Sequence, residues 1–224
     1  MNNGRLTLSI ESAVGGGSIA LLRAGEMVAH RSEGNDSSRA EKLLSTIDDL
    51  LSEAGVAMRD LEVIAVSIGP GSYSGIRIGV STALGLSHAL GIECVGVSVL
   101  DAMAHANDIH RDFIAAIPVG KNDIAWQYFS EVADGEKTTT GPELLPVPEF
   151  IDVFSRDYTG TDLLAHVDLV PRLDGKIPSS IRLRTVGPGM AEFVGKLALS
   201  EHRLPAPLHP IYLRNSRAPR SAAF

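Results

Sequence analysis

The chain opens with RLTLSIES, where apolar and polar residues alternate with the period of a strand that turns one face to a core. The turn-forming AVGGG comes next, then SIALLRAG and EMVAHRSE, two further strand-like runs parted at Gly25. Together they predict a three-stranded antiparallel meander. After NDSS, whose side chains suit helix capping, the spacing changes. Leu43, Leu44, Ile47, Leu50, Leu51 and Ala54 recur on one side of a helix over roughly 37–54, which Gly55 ends. LEVIAVSIG is a short, nearly all-apolar run bounded by turn residues, as in a strand buried on both faces. A helix over about 74–90, the strand ECVGVSV and a short helix in VLDAMAHAND complete the first 108 residues.

The second half begins again with two strands, FIAAIPVG and DIAWQYFSEV, joined by KND. The proline-rich GPELLPVPEF leads to a short helix near 148–156, TDLLAHV reads as a strand, and GPGMAEFVGKLALSEHR predicts a last helix over 188–202. Pro205, Pro207, Pro210 and Pro219 keep a long helix out of the remaining tail, which is expected to be extended. The expected division is a first lobe of residues 1–108 and a smaller second lobe of residues 109–224 that includes the tail.

The run VSIGPGSYSGIRIGVSTALGLSHAL concentrates glycine where a strand gives way to a helix, a geometry that can hold an anion. GPGSYSGIR nevertheless lacks the lysine and following Ser or Thr of a P-loop, and it lacks the glycine spacing of the dinucleotide fingerprint. In the structural reading Gly69 and Gly71 bracket Pro70 in a tight turn, and Ser72 or Ser74 caps the helix. Gly75, Gly79 and Ala83 then form a stripe of small residues on which another backbone can lean, either from this chain or from a second one.

Charge and composition narrow the function further. The 224 residues carry a net charge of −7, against general binding of nucleic acid, and 44% apolar residues suit an ordinary folded core. Residues 203–224 are the exception: Arg203, Arg214, Arg217 and Arg220 face no carboxylate there, leaving 16 basic against 27 acidic residues in the rest. The lone Cys94 permits no intrachain disulfide and, in its apolar run, reads as a buried strand residue. No secretory leader or membrane-spanning run is evident, so a cytoplasmic location is expected. His105 and His110, five residues apart, project about 140° from each other on a helix, a poor arrangement for one metal ion. No serine occupies a G-x-S-x-G elbow. No metal site and no catalytic residue are therefore expected.

GPGSYSGIRIGVSTALGLSHALGIECVGVSVLDAMA resembles the signature region of the bacterial tRNA threonylcarbamoyladenosine biosynthesis family TsaB, also called YeaZ, and LSIES, SIALL, DIAWQYF and PIYLRN add weaker matches. The resemblance implies an α/β fold of two ribonuclease H-like lobes of the actin-like, Hsp70-like and sugar-kinase-like (ASKHA) class, with mixed sheets and flanking helices. It also implies a non-catalytic scaffold in the tRNA threonylcarbamoyladenosine (t6A) modification complex. Such a subunit supports the catalytic TsaD beside the ATPase TsaE, reaches tRNA through the complex, and can pair with itself when alone. ATP and magnesium then act in the partner subunits, and no cofactor is expected on this chain by itself. The implied partner surface comprises Leu43, Leu44, Ile47 and Leu51 of the first helix with Gly75, Ile76, Arg77, Gly79, Val80, Ala83 and Leu84 of the glycine-led helix.

Departures from the family pattern mark a divergent member. Glu11, Ser12 and Ala13 stand where many relatives have Asp-Thr-Ser, and Pro118, Val119 and Gly120 where relatives tend to have Asp-Ala-Arg. Glu11 and Ser12 with Gly69, Gly71 and Ser72 would form at most a degenerate nucleotide site. An ATPase or small-molecule kinase of the same fold is the alternative reading.

Overall fold

Leu6, Leu8 and Ile10 of strand β1 (Leu6–Glu11) share one apolar cluster with the first two long helices, while Thr7 and Ser9 lie on the opposite face; both faces are buried. This placement comes from a computed structural model, which describes residues 4–32, 39–107, 109–131, 137–179, 181–200 and 208–214. β1 pairs antiparallel with β2 (Ser18–Arg23), which pairs antiparallel with β3 (Glu26–Ser32). On its other side β1 runs parallel to β4 (Val63–Gly69), which runs parallel to β5 (Glu93–Ser98). The sheet order is thus β3-β2-β1-β4-β5. β4 is buried at every position, as its uninterrupted apolar run requires when helices cover both faces.

The helices between these strands are α1 (Arg39–Glu53), α2 (Tyr73–Leu90) and α3 (Val99–His105). Two residues of the expected first helix, 37 and 38, lie outside the described residues, as does residue 108 at the expected lobe boundary. α2 begins at Ser72, whose hydroxyl accepts the N–H of Gly75 at 3.3 Å, and ends at Gly91 in the left-handed conformation.

The second sheet repeats the plan of the first. β6 (Phe113–Val119) pairs antiparallel with β7 (Asp123–Glu131), and the third strand is divided into β8 (Lys137–Thr139) and β9 (Glu143–Pro146), which pair with β7 one after the other. Past α4 (Val147–Asp157), β10 (Asp162–His166) lies parallel to β6; past α5 (Val170–Leu173), β11 (Leu183–Val186) lies parallel to β10. Three antiparallel strands followed by two parallel ones, in the same spatial order twice, define a duplicated ribonuclease H-like architecture.

Helix α6 (Met190–Leu199), the last among the described residues, follows the second sheet in sequence but packs on the first; residues 201 and 202 of the expected helix lie outside the described residues. Val194, Leu197 and Ala198 cluster with Val63, Ala65, Val95 and Val97, and Gly195 lets the helix approach Leu22 and Ser9. α3 and α6 lie side by side, and α3 also meets β6 and β7, so this pair joins the sheets. A polar tie crosses the same junction. Gln127 donates from Nε2 to Asp101 Oδ1 (3.1 Å) and to Thr139 Oγ1 (2.6 Å), while burial raises the Asp101 carboxyl above its ordinary range against these bonds.

The outer face of the second sheet carries the other core, where Phe150 and Phe154 stack at 5.6 Å and Trp126 meets Phe150 edge-on. Residues 208–214 form no helix and run back to the first lobe, where the N–H of Ile211 donates to the Ile68 carbonyl at 2.7 Å. Among the described residues no helix is long and apolar enough to cross a membrane. Phe154 is fully buried. Phe154→Ala is therefore expected to cost about 3 to 5 kcal/mol of stability, read from the shift in a urea unfolding midpoint.

Candidate functional site

Two glycine turns meet at the carboxyl ends of β1 and β4, the edge at which α/β sheets place their sites. Glu11 ends β1 fully buried, and its Oε1 accepts the N–H groups of Ala13 (2.6 Å) and Val14 (2.9 Å). The carboxylate thus shapes the turn that follows it. Gly15, Gly16 and Gly17 all have positive φ, and Gly17 donates to the Val14 carbonyl at 3.0 Å, a path that side chains would strain.

Ser12 reaches the other way. Its hydroxyl donates to the Gly75 carbonyl at 2.8 Å, and a Cβ at Gly75 or Gly79 would collide with the Ser12 carbonyl or hydroxyl oxygen. The second turn closes on the same loop. Ser72 donates its N–H to the Ala13 carbonyl at 2.8 Å, and a Cβ at Gly71 would lie 2.5 Å from that oxygen. Gly69 is filled in turn by Ile76 and by the carbonyl of Ile211. Glu11, Ser12, Gly69, Gly71 and Ser72, the five residues of the expected degenerate nucleotide site, are therefore adjacent. Ala13 and Gly75 tie the two turns together.

The second lobe closes on the first turn. A Cβ at Gly15 would meet Asp168 Oδ2 at 2.5 Å and His166 Cε1 at 2.7 Å. His166 ends β10 almost fully buried, and its Nδ1 accepts the Asp168 N–H at 3.2 Å. Burial lowers the imidazole below its ordinary value, against the opposing pull of the Asp168 carboxylate 3.8 Å away. Sequence spacing gave no sign of this pair. The signal lay in topology, because a parallel strand beside β6 delivers its last residues to the cleft between the sheets.

A phosphate entering here would meet the Asp168 carboxylate at Gly15. Beside the turn, Glu11, Gly16, Leu43, Thr46 and Ile78 line a cavity of about 20 Å³. That is room for one water, since each needs roughly 10 to 15 Å³. Among the described residues no three His, Cys, Asp or Glu side chains are grouped to hold a metal. Cys94 is half-buried on β5, with its thiol pushed up to about 11 by burial and by Glu93.

The expected partner surface divides when placed on α1 and α2. Leu43, Ile47 and Leu51 of α1, and Gly75, Ile76, Gly79, Val80 and Ala83 of α2, are buried within this chain, so they brace a surface without lining it. The small-residue stripe is occupied by the chain's own Ser12. Leu44 is 55% exposed and Leu84 43%, and Arg77 lies outside with its guanidinium 5.1 Å from the Tyr73 ring centre. The sequence reading missed Tyr73, which is 58% exposed, because aromatic residues at helix starts are usually packed.

Two duplicated ribonuclease H-like lobes joined by α3 and α6 define the class of fold, and comparison with known proteins agrees. The structure superposes on YeaZ from Pseudomonas aeruginosa with a TM-score of 0.68, covering 93% of this chain and 100% of that one at 24% identity. TsaB of Escherichia coli is 28% identical over 94% of this chain and 95% of its own length. TsaB of Haemophilus influenzae is 31% identical over 56% of this chain, and that match spans about half (52%) of the relative. The family model for TsaD, tRNA N6-adenosine threonylcarbamoyltransferase, matches residues 35–151, just over half of the chain. The chain belongs to this family as a divergent member of its TsaB (YeaZ) branch.

Gly75→Ala is expected to destabilise the fold by at least about 1 to 3 kcal/mol, because the atom it meets is backbone; thermal unfolding reads the loss. The His166 imidazole binds a proton less readily folded than unfolded. Its contribution to stability is thus complete above the unfolded value of about 6.5 and is lost as pH falls below it toward the folded value. Urea midpoints at pH 7.5 and 5.5 should separate for the parent protein and converge in His166→Gln.

Proposed function

We propose that the chain is a non-catalytic scaffold subunit of the t6A tRNA modification complex, binding TsaD through the outer sides of α1 and α2. The observation that carries the reading is the division of α2. Its glycine side is filled by the chain's own Ser12, while Leu84, together with Leu44 on α1, stays exposed. Likeness to TsaB supports a place in t6A biosynthesis, since related proteins carry tRNA threonylcarbamoyladenosine biosynthesis in their names, and the match to the TsaD family model supports TsaD as the partner. In this reading Glu11 shapes a loop and runs no reaction. ATP and magnesium act in TsaD and in the ATPase TsaE, tRNA is reached through the assembly, and the same helices permit self-pairing when TsaD is absent. The complex works in the cytoplasm.

Val80 is 6% exposed, so a charge there would disturb the core; Leu84 and Leu44 give cleaner tests. Leu84→Arg and Leu44→Glu are expected to keep the parent unfolding midpoint and to lose co-elution with TsaD, with at least tenfold weaker binding by calorimetry. Retained affinity in both variants would overturn this placement. Magnesium-dependent ATP turnover by the isolated chain, lost in Glu11→Gln, would instead favour an ATPase of the same fold.

A further inference from the structure

Residues 63–92 contain no Asp or Glu, and neither do residues 203–224, although the whole chain has 27 carboxylates against 20 Lys and Arg. Outside these two runs the balance is 15 basic to 27 acidic residues. The fold brings residues 208–214 of the second run against the first. Ile211 donates its N–H to the Ile68 carbonyl at 2.7 Å, its own carbonyl packs on Gly69, and Tyr212 reaches Tyr73 with ring centres 4.7 Å apart and a 39° tilt.

The result is an aromatic surface flanked by arginines and built from two acid-free stretches of an otherwise acidic protein. Tyr73 is 58% exposed and Tyr212 44%. Arg77 lies over the Tyr73 ring, and Arg214 stands exposed two residues beyond Tyr212. A core does not leave two tyrosines open side by side, and a purely ionic patch needs no rings. Exposed rings interleaved with arginines suit unpaired nucleotides, whose bases stack on the rings while the arginines meet the backbone phosphates. Tyrosines and arginines also anchor protein contacts, so a carboxylate-rich protein is the competing occupant, which the TsaD arm of the test separates from RNA.

We infer that Tyr73, Tyr212, Arg77 and Arg214 form a contact surface for single-stranded RNA. This deepens the reading above by naming where the scaffold itself touches tRNA, and it rests on that reading for the identity of the RNA. The surface lies at the amino end of α2, whereas Leu84 lies three turns along the helix.

The test measures anisotropy of a labelled, unmodified tRNA transcript with the full chain, alone and mixed with TsaD, across a salt series, using Tyr73→Leu and Arg214→Glu. Both residues are exposed, and unchanged unfolding midpoints would confirm that the variants fold. Tyr73→Leu is expected to weaken tRNA binding about tenfold through lost stacking. Arg214→Glu should weaken it and lower the salt slope by about one. Ultraviolet cross-links to tRNA should map to peptides holding Tyr73 or Tyr212. Parent-like tRNA affinity in both variants would overturn the inference. So would loss of TsaD binding with tRNA affinity unchanged, an outcome that makes this a protein contact. If the parent chain never engages TsaD while the variants still lose tRNA, the scaffold reading falls and the RNA surface stands.

Discussion

Ser12 lies against α2 where Gly75 and Gly79 have no side chains, and it donates to the Gly75 carbonyl from inside that space. At Gly75 the atom met is the Ser12 carbonyl oxygen, backbone against backbone, so the distance between the β1 turn and α2 there cannot relax by a change of rotamer. Other features follow from it. The turn after β1 is pressed against the turn after β4, so Ser72 can reach the Ala13 carbonyl. α2 is also fixed about its own axis, with Ile76, Val80 and Ala83 turned inward and Tyr73, Arg77 and Leu84 outward.

The same loops illustrate how one backbone shape can serve different ends. A glycine-rich turn at the carboxyl end of a strand can surround an anion because glycine admits close approach and positive φ. Here that freedom is used for contact within the protein: Ala13 fills Gly71, Ser12 fills Gly75 and Gly79, and Asp168 with His166 fills the space at Gly15. With a carboxylate on the second lobe's side of the turn, the cleft is shaped for joining lobes.

Much of the architecture was legible in the sequence because the long elements have clear periods. The alternation in RLTLSIES, the unbroken apolar run of β4 and the one-sided recurrence of Leu43, Leu44, Ile47, Leu50 and Leu51 along α1 correspond to observed elements. β8, β9 and β11 are three or four residues long, too short for any period to register. The candidate site was legible in part. The glycine spacing predicted a close approach, but residue order could not say whose backbone would fill it, since Ser12 and Gly75 are 63 positions apart. His166 and Asp168 were hidden for the same reason, because only the parallel placement of β10 beside β6 brings them to Gly15.

α6 is the last helix among the described residues, and it covers the face of the first sheet that α1 and α2 do not. Until residues 190–199 arrive, Val63, Ala65, Val95 and Val97 have only α3, through Ala102, against them. A ribosome making this protein must therefore complete the second sheet before the first can close. A nascent or truncated product ending before α6 would carry a largely open apolar sheet face, the kind of transiently exposed surface that promotes aggregation.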